Sequence, residues 1–234
     1  FCKDNAKPYF DFSSFAEPHN RDTDPNIMVR LLKNYLNAGG GTPDSFLLHR
    51  LDQPVEGIML FGKTKKASAT ISADIRDRRL NKEYLAACHP MDGGNYMLID
   101  AANENAEVAI CLEDHLIKGS GNTVSVVQSK TPGAKKAMLY YSPLSGRYTV
   151  RGGSTQVCLI KVSLITGRHH QIRVQLSHTG LPIVGDRKYG CMPDGYRGML
   201  CLAAVSLSFK HPVTREEMYF EIAPKFMEEL TITG

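Results

Sequence analysis

From residue 81 onward the chain is a succession of short apolar runs cut off by glycine and proline, and this punctuation limits the fold more than any other feature. Tyr84–Cys88, Ala106–Leu112, Thr123–Val127, Met138–Tyr141, Gln156–Ile165, Leu200–Phe209 and Glu217–Ala223 read as strands. Gly93-Gly94, Gly119-Ser120-Gly121 and Pro132-Gly133 split the middle of this stretch. Helical periodicity is confined to a few places. Asp24-Pro25 opens a segment with Ile27, Leu31 and Tyr35 at i, i+4 and i+8, which Gly39-Gly40-Gly41 ends. After a predicted strand from Gly57 to Gly62, Thr64 to Leu80 places Ala67, Ile71 and Ile75 on one helical face. A shorter helix is expected over His169–Leu176, between Thr166-Gly167 and Gly180. Helices therefore fall between groups of strands instead of alternating with them. That order predicts an α+β fold with a mixed, mainly antiparallel sheet flanked by helices. No linker or repeat interrupts it, so residues 1–234 are read as a single domain.

Composition narrows the partners only slightly. A net charge of +4 permits a polyanion without requiring one. No apolar run approaches the roughly 20 residues that cross a bilayer, and Phe1-Cys2-Lys3-Asp4 is unlike a signal peptide, so a cytoplasmic protein, a monomer with no membrane partner, is expected. The chain does not start with methionine, so residues can precede Phe1. The cysteines (Cys2, Cys88, Cys111, Cys158, Cys191, Cys201) are scattered, with no C-x-x-C and no zinc-finger spacing to a histidine pair. Reduced thiols are expected and no metal is implied. The Gly39–Gly41 triplet follows its helix and no G-x-x-x-x-G-K-S/T motif follows it, so it reads as a helix stop, not a phosphate loop.

Two segments carry candidate chemistry. In His49-Arg50-Leu51-Asp52-Gln53-Pro54-Val55-Glu56-Gly57, an aspartate stands at the entrance to the apolar run Ile58-Met59-Leu60-Phe61. A carboxylate losing hydration there needs a partner. Arg50 is the nearest in sequence, and the residues alone allow either a structural ion pair or a reactive carboxylate. The second segment, Thr166 to Arg173, concentrates polar residues where a strand gives way to a helix start, a common setting for an anion site; a solvated helix start reads equally well. His169 and Arg173 share a helical face, whereas the adjacent His169 and His170 are expected to diverge. Arg76, Arg78 and Arg79 suit the C-terminal end of their helix. No nucleophile turn or oxyanion motif supports a hydrolase.

These segments are ordered. His49-Arg50-Leu51-Asp52 with Gly57, Phe61-Gly62-Lys63-Thr64 and Lys82-Glu83-Tyr84-Leu85-Ala86 resemble the signatures of the RluA-type pseudouridine synthase family. So do Ile165 to Arg173, Gly180 to Gly190, Leu202-Ala203 through Pro212, and Pro224-Lys225-Phe226, so that the resemblance spans residues 45–226. It implies a pseudouridine synthase fold with a central active-site cleft. The implied activity is isomerisation of uridine in rRNA or tRNA, with no cofactor and no metal. By this resemblance Asp52 is the catalytic carboxylate, attacking C1′ or abstracting a ribose proton. Both routes need it ionised, which burial opposes and a cation in contact favours; the resemblance makes Arg173 that cation. Tyr84 stacks on the uracil and can help remove the C5 proton, although its residue type alone suits a core tyrosine. Arg50 fills the space of the flipped base, and Leu51 packs under the site. Lys63, Arg168, His169 and Gln171 contact phosphates or orient the loop. Lys65-Lys66, Arg76/Arg78/Arg79, Lys135-Lys136 and Arg147/Arg151 can track RNA.

The pattern is broken at Val55-Glu56, where the family has small hydroxyl residues; Glu56 is expected to face away from RNA or pair with a basic residue. The residues before position 45 are too few for the S4 domain of many relatives, and Lys7-Pro8 is a weak echo of the first family motif. A non-catalytic RNA-binding or chaperone protein on the same fold is the alternative, which retention of Asp52, Tyr84 and Arg173 disfavours.

Overall fold

A computed structural model describes residues 30, 32–34, 46–91 and 109–233. Of the first predicted helix, residues 30 and 32–34 are helical; the remainder, the glycine triplet and Lys7-Pro8 lie outside the described residues. The strands are β1 (Phe46–Leu47), β2 (Glu56–Gly57), β3 (Phe61–Gly62), β4 (Asn81–Cys88), β5 (Ile110–Lys118), β6 (Val124–Val127) and β7 (Lys135–Pro143). They continue with β8 (Tyr148–Val150), β9 (Gln156–Leu164), β10 (Leu202–Lys210), β11 (Glu217–Glu221) and β12 (Leu230–Ile232). Helix α1 is Lys65–Arg76 and α2 is Gln171–His178. A sheet in the order β11-β10-β4-β9-β7-β5-β6 forms the frame, with β2 on β10 and β8 on β9. Its pairs are antiparallel apart from β2–β10. The mixed, mainly antiparallel α+β architecture is the one the punctuation predicts.

The middle of this sheet is the driest part. Ala86, Ala87 and Cys88 of β4 and Leu202, Ala203 and Ala204 of β10 are buried in one core with Leu139, Ile160 and Val162. Ile172 and Leu176 of α2 belong to the same core, while Val174 on its other side meets Leu116, Val124 and Ala137. Helix α2 is thus buried around almost its whole circumference, Gln171, Arg173 and Gln175 included, and each polar side chain in it needs a protein partner. Ile71 of α1 packs with Leu207 and Phe209 in a separate cluster.

Several boundaries move, each for a local reason. Helix α1 starts as predicted, with the Thr64 hydroxyl accepting the Ala67 N–H at 3.2 Å. It stops at Arg76, before Leu80, because Arg78 turns left-handed (φ 58°) and Arg79 folds back onto Asp74 at 2.7 Å. Helix α2 starts at Gln171, not at His169, because His170 is itself left-handed at φ 51° and cannot join the helix. The strand predicted from Gly57 to Gly62 is two short pieces in different sheets, β2 and β3. β5 runs to Lys118, well past Leu112. Its alternation of half-buried and exposed positions lets Glu113 and Asp114 sit in a strand that an apolar run would not reveal. β8 and β12, short and paired with each other, carry no comparable signal in the sequence.

Candidate active site

Asp52 lies between β1 and β2, where its carbonyl accepts the Val55 N–H at 2.8 Å and closes a tight turn through Gln53-Pro54. The chain then reaches Gly57, whose φ is +135° and whose absent Cβ would fall 2.5 Å from the backbone N and O of Ala204. Only glycine lets β2 lie this close to β10. Ala204 is in turn the partner of Tyr84 across β10–β4, so this contact ties the Asp52 turn to Tyr84. Glu56 is also explained: both its oxygens accept the Lys225 N–H at 3.0 Å, holding the turn to the 3₁₀ helix Lys225–Glu229. Upstream, His49 accepts the Leu60 N–H on Nε2 at 3.0 Å, and burial lowers its pKa to about 3, so the ring is a neutral strut.

Arg173 approaches from α2. Its Nε and Nη2 bond Asp186 at 2.7 and 2.8 Å, and its Nη1 reaches Asp52 Oδ2 at 3.5 Å. The Asp186 side chain is fully buried, that of Arg173 is 4% exposed and that of Asp52 21%. Burial pushes the Asp186 carboxyl up, but bonds from Arg173 and from the Lys188 and Tyr189 N–H groups prevail and hold it below its ordinary value. Arg173 is therefore locked by one carboxylate and offers its remaining edge to the other, the only one open to solvent. Asp186 went unnoticed as a functional residue in the sequence; its position within the Gly180–Gly190 motif was the available signal.

His169 and His170 complete the constellation. Their rings stack with centroids 3.8 Å apart, correcting the expectation that they diverge; the left-handed backbone at His170 keeps both outside the helix. His169 Nδ1 is 3.8 Å from Asp52 Oδ1, and His170 Nε2 is 3.9 Å from Asp52 Oδ2. His169 Nε2 lies 2.8 Å from Asn122 Oδ1, and His170 Nδ1 lies 2.8 Å from the Tyr189 hydroxyl. Burial lowers the His170 pKa to about 4 against the pull of Asp52, with Arg173 assisting, and lowers that of His169 in the same way. The Tyr84 phenol is pushed up to about 12 by burial and by the Asp52 charge, so it keeps its proton. Asp52, His169 and His170 bring ligand-type atoms within 4.8 Å of one another. Imidazole binds a metal in its ring plane, however, and two stacked rings cannot both aim their in-plane lone pairs at one ion. The group fits a metal poorly.

The other sequence candidates fall around this centre. Arg50 is exposed and Leu51 packs against the main core. The Arg168 Nε donates to the Lys136 carbonyl at 3.0 Å. Gln171 is 2% exposed; its oxygen accepts the Thr166 hydroxyl and the Arg168 N–H, and its nitrogen donates to the Met138 carbonyl, so it shapes the loop from within. Lys63 is exposed just after β3. Among the basic clusters, Arg79 pairs with Asp74 and Asp77, and Lys136 pairs with Glu113. A separate cavity of 280 Å³, lined by Asp74, Arg79, Asn81, Arg215 and Glu217 among others, shares no residue with the site.

Residues 7–178 match the family of RNA pseudouridylate synthases. The chain is 30% identical over 179 residues to the ribosomal large subunit pseudouridine synthase C of Haemophilus ducreyi, covering 74% of this chain and 50% of that one. It thus spans half the length of that relative. Similarity to the dual-specificity RNA pseudouridine synthase RluA of the same organism is 30% over 210 residues, covering 86% of this chain and 80% of the relative. The solved human RNA pseudouridylate synthase domain containing 4 superposes with a TM-score of 0.62 at 21% identity, over 86% of this chain and 81% of that one, and so shares the fold. With the motifs in order and the fold in common, the chain belongs to the RNA pseudouridylate synthase family, in its RluA-type branch.

Proposed function

We propose that the protein is an RNA pseudouridine synthase that isomerises uridine in rRNA or tRNA, with residues 1–234 acting as one catalytic domain. The observation that carries this reading is the arrangement of charge at Asp52. Its carboxylate is partly open to solvent, while the guanidinium beside it is buried and already held by Asp186. A purely structural pair would satisfy both partners away from water; here the exposed member is left under-coordinated and able to react.

In the reaction the bond between N1 and C1′ breaks, the uracil turns, and C5 bonds to the same C1′. Asp52 serves as the catalytic carboxylate, by attack on C1′ or by removing a ribose proton. The Arg173 Nη1 keeps it charged and oriented. Tyr84, buried beside Asp52, supplies a flat apolar face for the uracil. Arg50 takes the place of the flipped base and Leu51 backs the turn. Lys63, Arg168 and His169 border the path of the RNA, and Gln171 holds the loop that presents them. No step calls for a cofactor. A non-catalytic RNA-binding role leaves the shared guanidinium between Asp52 and Asp186 without a purpose.

The test is tritium release from RNA labelled at uridine C5, with wild type and Asp52→Asn assayed side by side. Wild type is expected to release label and the variant to release none above background. Equal release by the two proteins would remove Asp52 from the chemistry.

A further inference from the structure

Two side chains face Asp52 on the same oxygen. Arg173 Nη1 lies 3.5 Å from Oδ2, and His170 Nε2 lies 3.9 Å from it. A guanidinium can only attract a carboxylate, but an imidazole nitrogen attracts or repels it according to which ring nitrogen carries the hydrogen. Burial lowers the His170 pKa to about 4, so the ring is neutral near pH 7 and has one hydrogen to place. The group that decides its place is Tyr189.

We propose that Tyr189 is a positioning residue that fixes the His170 hydrogen on Nε2, so that Asp52 is held through Oδ2 and acts on the ribose through Oδ1; this rests on the pseudouridine synthase reading of the site. The Tyr189 hydroxyl accepts the Val124 N–H from β6 at 2.7 Å and lies 2.8 Å from His170 Nδ1. Burial raises the Tyr189 phenol above its ordinary value, so the hydroxyl keeps its hydrogen. With Val124 donating to the oxygen, that hydrogen is directed to Nδ1, and the ring hydrogen falls to Nε2, facing the carboxylate. The reverse order, with Nδ1 donating to the hydroxyl, leaves the phenol hydrogen without a second acceptor among the described residues. It also turns a bare nitrogen lone pair towards Asp52 Oδ2.

Oδ1 has no such donor. His169 Nδ1 is 3.8 Å from it, but His169 Nε2 faces the Asn122 amide oxygen at 2.8 Å and keeps the ring hydrogen on that side. Oδ1 is thus the oxygen left for the ribose, while two groups on Oδ2 set the direction in which it points. The Tyr189 ring is itself fixed. Arg173 Cζ lies 5.3 Å from its centroid, the His170 ring meets it edge-on at 5.4 Å, and the Tyr189 N–H donates to Asp186 at 3.2 Å. Tyr189→Phe keeps these contacts and removes only the hydroxyl.

Nitrogen-15 NMR of the full chain tests this together with tritium release, the His170 signals being identified by their absence from His170→Ala. Wild type should show Nδ1 as a bare, hydrogen-bonded nitrogen and Nε2 as the one bearing hydrogen. Tyr189→Phe should turn this single form into a mixture, which a merely structural role would not do. It should also lower kcat roughly 10-fold, about the worth of one hydrogen bond, with KM unchanged. In a His170→Ala background the same substitution should change kcat by less than about twofold, because the two residues act in one chain. A wild-type hydrogen on Nδ1, an unchanged kcat in Tyr189→Phe, or a loss that adds in full to that of His170→Ala overturns the proposal and leaves the synthase reading standing. If wild type releases no label from any RNA, that reading fails and the role given to Tyr189 falls with it.

Discussion

One guanidinium divided between two carboxylates decides the behaviour of the site at the residue scale. Asp186 takes the short bidentate bonds and Asp52 the single longer one, so of the two carboxylates Asp52 alone remains open to solvent. Replacing Asp186 by alanine leaves Arg173 buried without its main partner, at a cost of about 3–5 kcal/mol. Urea unfolding should show that loss, and a change under about 1 kcal/mol would argue that Asp52 simply takes over the guanidinium. The folded Asp186 carboxyl lies below its ordinary 3.8, so the unfolded chain binds this proton first. Its contribution is complete above that value and is lost as the pH falls below it. Acid titration followed by circular dichroism should place the loss of stability in that window and not near neutrality. Asp52 was legible in the sequence as a charge needing a partner, and the family resemblance supplied Arg173 as that partner. Asp186 was not legible, because a carboxylate between Gly185 and Arg187 looks like a surface turn until its burial is known.

At the scale of elements, what matters is how the Asp52 turn is fastened. It is held by β2 against β10, by Glu56 on the 3₁₀ helix, and by His49 on Leu60. Gly57→Ala would push a methyl into the Ala204 backbone at a left-handed φ, and it should both destabilise the fold and abolish tritium release. Glu56→Ala removes only an exposed cap. It should lower stability by about 1 kcal/mol without weakening RNA binding, as measured by thermal melting and fluorescence anisotropy. A marked loss of RNA affinity would instead place Glu56 in the interface. Helix periodicity found α1 and α2 from the sequence, and apolar runs found most strands. The helix boundaries shift where a left-handed residue, Arg78 or His170, ends or delays a helix. Such a conformation is paid for by surrounding contacts and leaves little trace in a non-glycine sequence.

For the whole molecule, the modest net charge of +4 understates the local field. Arg50, Lys118 and Lys188 converge near His169 although they come from distant parts of the chain. RNA affinity should therefore fall linearly on a log–log plot against salt. The double variant Lys118→Ala, Lys188→Ala should reduce the slope by roughly 1.5 for single-stranded contacts. An unchanged slope in anisotropy titrations would place the RNA elsewhere. The sequence by itself determined the α+β class, the mainly antiparallel sheet and the order of motifs bearing Asp52, Tyr84 and Arg173. The class and the sheet follow from local composition, since glycine, proline and apolar period act over a few residues, whereas the motifs are legible through their resemblance to the family. Only the tertiary structure decided that Arg173 is anchored by Asp186, that His169 and His170 stack at Asp52, and that Glu56 caps a distant helix. Each of these depends on through-space distance and burial, and the sheet register that brings Gly57, Ala204 and Tyr84 side by side is a property of no single segment.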